Sequence, residues 1–238
     1  MNVLNDGLYV VMPAYNEEEN IREVVLSWYR VLEGKSADAR LVVADSGSTD
    51  RTHEILSDLK QECPKLLLLP TKYKEHGPKL IALYRYAYEQ GAEFVFQTDS
   101  DGQTLPEEFE AFWEKRHAYD GIIGDRRVRG DGKGRAFIEG VVCLLLKLYF
   151  HVDVPDGNAP FRLMKSEMIK RYLDRLPEDY NIPNIMLTTY FAYYRENICF
   201  SEITFHPRLR GENKIDVKSI IGHGLRALKD FHAFKKGM

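Results

Sequence analysis

Short apolar runs alternate along the chain with longer segments in which apolar residues recur every three to four positions. Residues 8–12, 41–44, 66–69, 94–97 and 122–123 are apolar almost throughout, the signature of strands buried on both faces. Between them, residues 17–32, 50–61, 79–90 and 106–119 carry the helical period, with Pro106 and the acids Glu107 and Glu108 opening the last. Strand followed by helix, repeated, predicts an α/β fold: a Rossmann-like, mostly parallel sheet with helices on both faces. Ligands of such a sheet gather beyond the carboxyl ends of its strands.

From Arg126 the alternation fails. Residues 126–135 read as a flexible basic loop, 136–150 as a helix, 154–160 as a Pro/Gly break and 184–196 as a partly aromatic helix. In the closing stretch, 217–236, Ile221, Leu225, Leu228 and Phe231 share one helical face beside Lys218, Arg226, Lys229, Lys235 and Lys236. That pattern suits a helix lying at an anionic lipid surface, and equally one that packs on the domain. With no linker, repeat or low-complexity tract, the whole of 1–238 is expected to form one domain with a C-terminal helical extension.

Charge and cysteines narrow the classes. The 238 residues carry 33 Lys and Arg against 36 Asp and Glu, a net charge of -3, which argues against non-specific nucleic-acid binding. Cys63, Cys143 and Cys199 are odd in number and far apart, a pattern for a reducing compartment rather than a disulfide framework. The most apolar run, 141–146, is bounded by Glu139 and Lys147 and falls far short of the ~20 residues that span a bilayer. The N-terminus has no basic-then-apolar signal. The expected location is therefore the cytoplasm, with at most peripheral contact at the inner face of the membrane.

Three strand ends carry polar clusters: residues 13–19, 45–50 and 98–103. The last is the most informative, because Asp99 and Asp101 stand one residue apart where an apolar run stops. Alternate side chains of an extended segment point the same way, so both carboxylates can face one hard cation that takes oxygen ligands. Asp, Ser and Gly are also what a plain turn uses. Ser48-Thr49-Asp50, opening a helix, reads as an N-cap. His76 and Lys79 fall in a loop near these strand ends, and Tyr84 and Tyr88, one helical turn apart, read as core.

Taken together, Val10-Val-Met-Pro-Ala-Tyr-Asn-Glu-Glu-Glu-Asn-Ile21, Val42-Val-Ala-Asp-Ser-Gly-Ser-Thr-Asp50 and Thr98-Asp-Ser-Asp101 resemble family 2 glycosyltransferases of the GT-A fold. Gly124-Asp-Arg126, Pro155-Asp-Gly-Asn-Ala-Pro-Phe-Arg162 and Ile203-Thr-Phe-His-Pro-Arg208 are similar to the branch that transfers sugars to dolichyl and polyprenyl phosphates. The resemblance implies a nucleotide-sugar half over 1–125, an acceptor half over 126–216 and a terminal amphipathic helix over 217–238. It implies that Pro13, Ala14, Tyr15 and Glu17 line the ribose and base of a UDP- or GDP-sugar. Asp45 would accept a hydrogen bond from the base, as suits a ring N–H. Asp99 and Asp101 would hold Mg2+ or Mn2+ against the donor diphosphate, with Gln103 as a further oxygen ligand. The ion serves as a Lewis acid for the departing nucleoside diphosphate.

Acceptor chemistry divides on charge. A hydroxyl acceptor needs a general base, whereas a phosphate acceptor is already anionic and needs cations. The resemblance assigns Arg126 and Arg135 to an acceptor phosphate, and Arg129 could join them. It makes Asp156 a base or an acceptor-orienting group. Two departures stand out: Glu139 occupies a position that is often serine in the family, and Ala159-Pro160 replaces Ser-Gly. Glu178-Asp179 resembles the acidic pair of polysaccharide-forming members, or simply begins a helix. The implied function is metal-dependent, inverting transfer of a sugar from UDP or GDP to a polyprenyl-phosphate or cell-surface glycan acceptor. The alternative is a non-catalytic nucleotide-sugar-binding protein of the same fold.

Overall fold

A computed structural model of the chain describes residues 6–130, 133–208 and 230–235; the side chains of Val128, Arg129, Lys133 and Arg135 lie outside the described set. A seven-stranded sheet is built from β1 (Leu8–Ala14), β2 (Arg40–Asp45), β3 (Leu66–Leu68), β4 (Phe94–Gln97), β5 (Gly121–Arg129), β6 (Arg162–Lys165) and β7 (Ile198–Phe205). Its order is β3-β2-β1-β4-β6-β5-β7. All neighbours run parallel except β6, which is antiparallel to both β4 and β5. The helices are α1 (Ile21–Arg30), α2 (Thr52–Glu62), α3 (His76–Glu89), α4 (Phe109–Trp113), α5 (Lys133–Phe150), α6 (Ser166–Leu173) and α7 (Pro183–Tyr193).

Both faces of the sheet are covered because its central strand is apolar on both sides. Leu8, Val10 and Met12 of β1 pack with Val24, Val25 and Trp28 of α1 and with Leu56 and Leu59 of α2. The alternate residues Tyr9 and Val11 face the opposite core, with Leu80 and Leu83 of α3, Phe150 of α5 and Ile169 of α6. This is the two-residue alternation of an extended chain. Beneath the strand ends, the Phe96 ring of β4 meets Phe109 at 4.9 Å and Phe161 at 4.7 Å, both edge-on. Each such pair adds about 0.5–1.5 kcal/mol beyond burial, and together they fix the strand that leads into Asp99.

The structure moves several expected boundaries. Pro13 and Ala14 belong to β1, registered against Ala44 and Asp45, and are not a turn. His76 and Lys79 lie in the first turns of α3, not in a loop. The expected basic loop does not exist as such: β5 continues to Arg129 and α5 begins at Lys133. The helix expected over 106–119 shrinks to a 3-10 turn, Pro106–Glu108, followed by α4. Asp50 is not the N-cap of α2; Arg51 holds that position. The elements β6, α6 and β7 were not legible. Most of the closing stretch lies outside the described residues, but 230–235 is helical. There Phe231 is buried against Phe150 and Tyr149 of α5, so that one residue of the apolar face packs on the domain.

Candidate functional site

The first two polar clusters are sewn together by hydrogen bonds. Asn16, in the left-handed region at φ 53°, turns the chain after β1 and accepts the Thr49 amide at 2.8 Å while its own amide donates to Ser48 Oγ at 3.0 Å. Glu17 N–H donates to Thr52 Oγ1 at 2.8 Å, and Glu18 N–H to Asp50 Oδ2 at 3.1 Å. Burial would raise the Asp50 carboxyl, but hydrogen bonds from the Thr52 hydroxyl and from the Thr52 and Glu18 amides pull it below its ordinary range. A rigid corner results, joining β1 to the start of α2.

Beside this corner lies a cleft of about 440 Å³ whose wall includes Pro13, Ala14, Tyr15, Glu17, Asp99 and Asp101. Lys79, 1 % exposed, donates from Nζ to the Ala14 carbonyl at 2.6 Å, and burial lowers its pKa. The Tyr15 ring has the ammonium groups of Lys74 and Lys79 at 5.0 and 5.2 Å. Glu17 pairs with Arg208, which follows β7; burial still holds its carboxyl above the usual range. Asp45 stands beside the cleft rather than in its wall. Its carboxylate accepts the Ser48 hydroxyl and lies 3.3 Å from His53 Nδ1.

Asp99 and Asp101 converge as their spacing implied. Asp101 is pushed up to about 7, chiefly by burial and then by the neighbouring Asp99 charge. A divalent cation would relieve both effects. Gln103 donates its amide N–H to Asp101 Oδ1 at 3.1 Å, and its side-chain Nε2 is committed to the His206 carbonyl at 2.7 Å, leaving the side-chain oxygen as the atom for a metal. Among the described residues, no group of three or more His, Cys, Asp or Glu side chains forms a metal cage. The set therefore fits a hard cation that completes its shell with phosphate or water oxygens. His76 Nε2 lies 3.1 Å from Asp99 Oδ1.

A second cavity of about 200 Å³ shares His76, Asp99 and Asp101 with the cleft and adds Gln103, Arg126 and Asn158. Arg126 is buried and bound to Asp156 through two hydrogen bonds, 2.6 Å from Nε and 2.8 Å from Nη2. Glu139 Oε2 is 3.4 Å from the same Nη2. Asp156 thus sits behind Arg126, outside the cavity wall. Burial alone would raise its carboxyl, but the guanidinium holds it low. Glu139 is raised, first by burial and then by Asp156. The side chains of Arg129 and Arg135 lie outside the described residues. Sequence reasoning missed Arg208: His206-Pro207-Arg208 was visible as a motif, but nothing local tells that it returns to Glu17.

A mostly parallel sheet with polar clusters and a carboxylate pair at its open strand ends is the architecture of nucleotide-handling α/β proteins. Residues 9–173 match the model of Glycosyl transferase family 2, and the chain belongs to that family. It is 26% identical to the undecaprenyl-phosphate mannosyltransferase of Micrococcus luteus, over 86% of each chain. It is 25% identical to the dolichol-phosphate mannosyltransferase of Pyrococcus furiosus, over 89% of this chain and 60% of that one. The chain spans 66% and 64% of the glycosyltransferases it matches in Bacillus subtilis and Synechocystis. Its fold is that of glucosyl-3-phosphoglycerate synthase from Mycobacterium tuberculosis, solved with Mn2+ and UDP-glucose. The TM-score is 0.69 at 17% identity, covering 98% of this chain and 80% of that one.

Proposed function

We propose that this chain is a metal-dependent glycosyltransferase that takes a sugar from a UDP- or GDP-sugar and inverts its anomeric carbon. The acceptor oxygen bonds to that carbon as the bond to the diphosphate oxygen breaks, and the electron pair leaves with the nucleoside diphosphate. The observation that carries this reading is one cleft at the strand ends that brings Asp99 and Asp101 together with Pro13, Ala14, Tyr15 and Glu17, the 45–50 cluster being hydrogen-bonded to the latter stretch beside it. Bound there, Mg2+ or Mn2+ would neutralise charge building on the leaving group. Pro13, Ala14, Tyr15 and Glu17 bind the nucleoside, while Asp45 braces Ser48 beside them. Lys79 holds the end of β1 in place and offers its charge to the diphosphate.

The acceptor is a polyprenyl phosphate or a glycan, received in the cavity that holds Arg126. Support comes from the two relatives named for transfer to undecaprenyl and dolichol phosphate. Contact with a lipid surface belongs to the same reading. On α5, Phe137, Leu144 and Leu148 stand 74, 55 and 63 % exposed, spaced to share one helical face. No helix of the described residues is long and apolar enough to cross a membrane. The test is a thermal-shift series with UDP, GDP, CDP and dTDP, each with and without Mn2+, because a ligand that binds only the folded state stabilises it. One base should stand out, and only with metal; no metal-dependent shift with any of the four would sink the reading.

A further inference from the structure

Of the three arginines assigned to the acceptor, Arg126, Arg129 and Arg135, only Arg126 has a described side chain, and it is already countered twice over. Asp156 grips Arg126 in a fork, and Glu139, reaching in from α5, adds a second carboxylate at 3.4 Å. Glu139 is not free to swing aside. Its other oxygen accepts the Gly157 amide at 2.9 Å, which ties the helix to the turn that carries Asp156. Glu139 is largely shielded from water, at 13 % side-chain exposure, and the Arg126 guanidinium beside it favours its ionised form against the burial. Beside His76, Asp99, Asp101 and Gln103, the cavity wall carries the carboxamides of Asn158, Asn181 and Asn184. Each offers both a donor and an acceptor, the pairing that a hydroxyl needs.

We propose that Glu139 sets acceptor selectivity: the cavity takes an acceptor that presents an uncharged hydroxyl, a glycan whether free or lipid-linked, and turns away one that presents a phosphate. This rests on the glycosyltransferase reading and names its acceptor class. A phosphate at Arg126 would have to displace Asp156 from the guanidinium and sit beside Glu139, and like charges held together in a buried site repel strongly. A hydroxyl disturbs neither carboxylate. His76, whose ring stands in the cavity wall beside Asp99, is the base placed to take the one proton that a hydroxyl gives up for each sugar transferred and to pass it to solvent, whereas an ionised phosphate gives up none. The acid at position 139 thus acts as a built-in anion that occupies the cation in place of a substrate.

The test is calorimetric titration of farnesyl phosphate, a short soluble polyprenyl phosphate, into the full chain saturated with Mn2+ and the nucleoside diphosphate it prefers. Wild type is compared with Glu139→Ser, which removes the carboxylate, and with Glu139→Gln, which keeps the size and the Gly157 contact without the charge. Circular dichroism checks that both variants fold. The expected result is that both bind farnesyl phosphate at least about tenfold more tightly than wild type, equal to roughly 1.4 kcal/mol. Equal binding by all three, whether tight or absent, overturns the proposal, as does tighter binding by wild type. Failure of the nucleotide itself to bind in the preceding titration would instead count against the glycosyltransferase reading.

Discussion

At the scale of single residues, the site is governed by charges that lack or share partners. Asp101 has a folded pKa near 7 against an ordinary 3.8, so its neutral form is favoured in the metal-free protein. A raised carboxyl contributes stability that is complete below the unfolded value and is lost as pH rises through the folded one. The metal-free chain should therefore lose stability, on the order of a few kcal/mol, between about pH 4 and pH 7. Saturating Mn2+ should restore it. Thermal melts across that range will show the slope in wild type and its absence in Asp101→Asn, which should also lose most transfer activity; the same slope in both proteins would refute the assignment. Asp156 behaves in the opposite sense, since Arg126 holds it low. Removing it takes the closer of two carboxylates from a buried guanidinium, so Asp156→Ala should destabilise by roughly 3 kcal/mol in chemical denaturation.

At the scale of elements, legibility followed the alternation of period two and period 3.6. β1, β2 and β4 announced themselves because each is mostly buried and ends in a cluster of polar residues, and the half-buried β3 by its run of leucines. β6 did not, because its four residues follow Ala159-Pro160 without an apolar run and pass directly into α6. β7 hid for a different reason. As an edge strand it is mostly half-exposed and carries Ser201 and Glu202 mid-strand, a sequence that reads as loop. The basic stretch after Asp125 was misread because charge was weighed above pairing: β5 is held to β7 through Val128 and Arg129. A further element-level constraint is Gly77, where a Cβ would come within 2.4 Å of the Asn181 backbone. Gly77→Ala should force α3 away from that segment and lower the melting temperature by several degrees, with weaker nucleotide binding because His76 and Lys79 ride on the same turn. An unchanged melt would show that the contact is slack.

At the scale of the whole molecule, the chain has one apolar feature its own described residues do not cover, the outer stripe of α5. Sedimentation with anionic vesicles at low salt should carry the wild type down, and Leu144→Glu with Leu148→Glu should leave the protein in the supernatant without loss of nucleotide binding. Equal partition of the two proteins would leave the stripe without a lipid role. The inner side of the same helix brings Glu139 to Arg126 in the cavity wall, so one element serves both the surface and the site. The pairing of Glu17 with Arg208 has its own consequence. Glu17 emerges from the ribosome early and Arg208 almost two hundred residues later, after the last strand has paired at the far edge of the sheet. A growing chain thus has its nucleotide motifs long before it has a finished cleft, and contacts of such long sequence separation form late. The wall of the cleft, to which Arg208 contributes, is therefore complete only once synthesis has passed that residue.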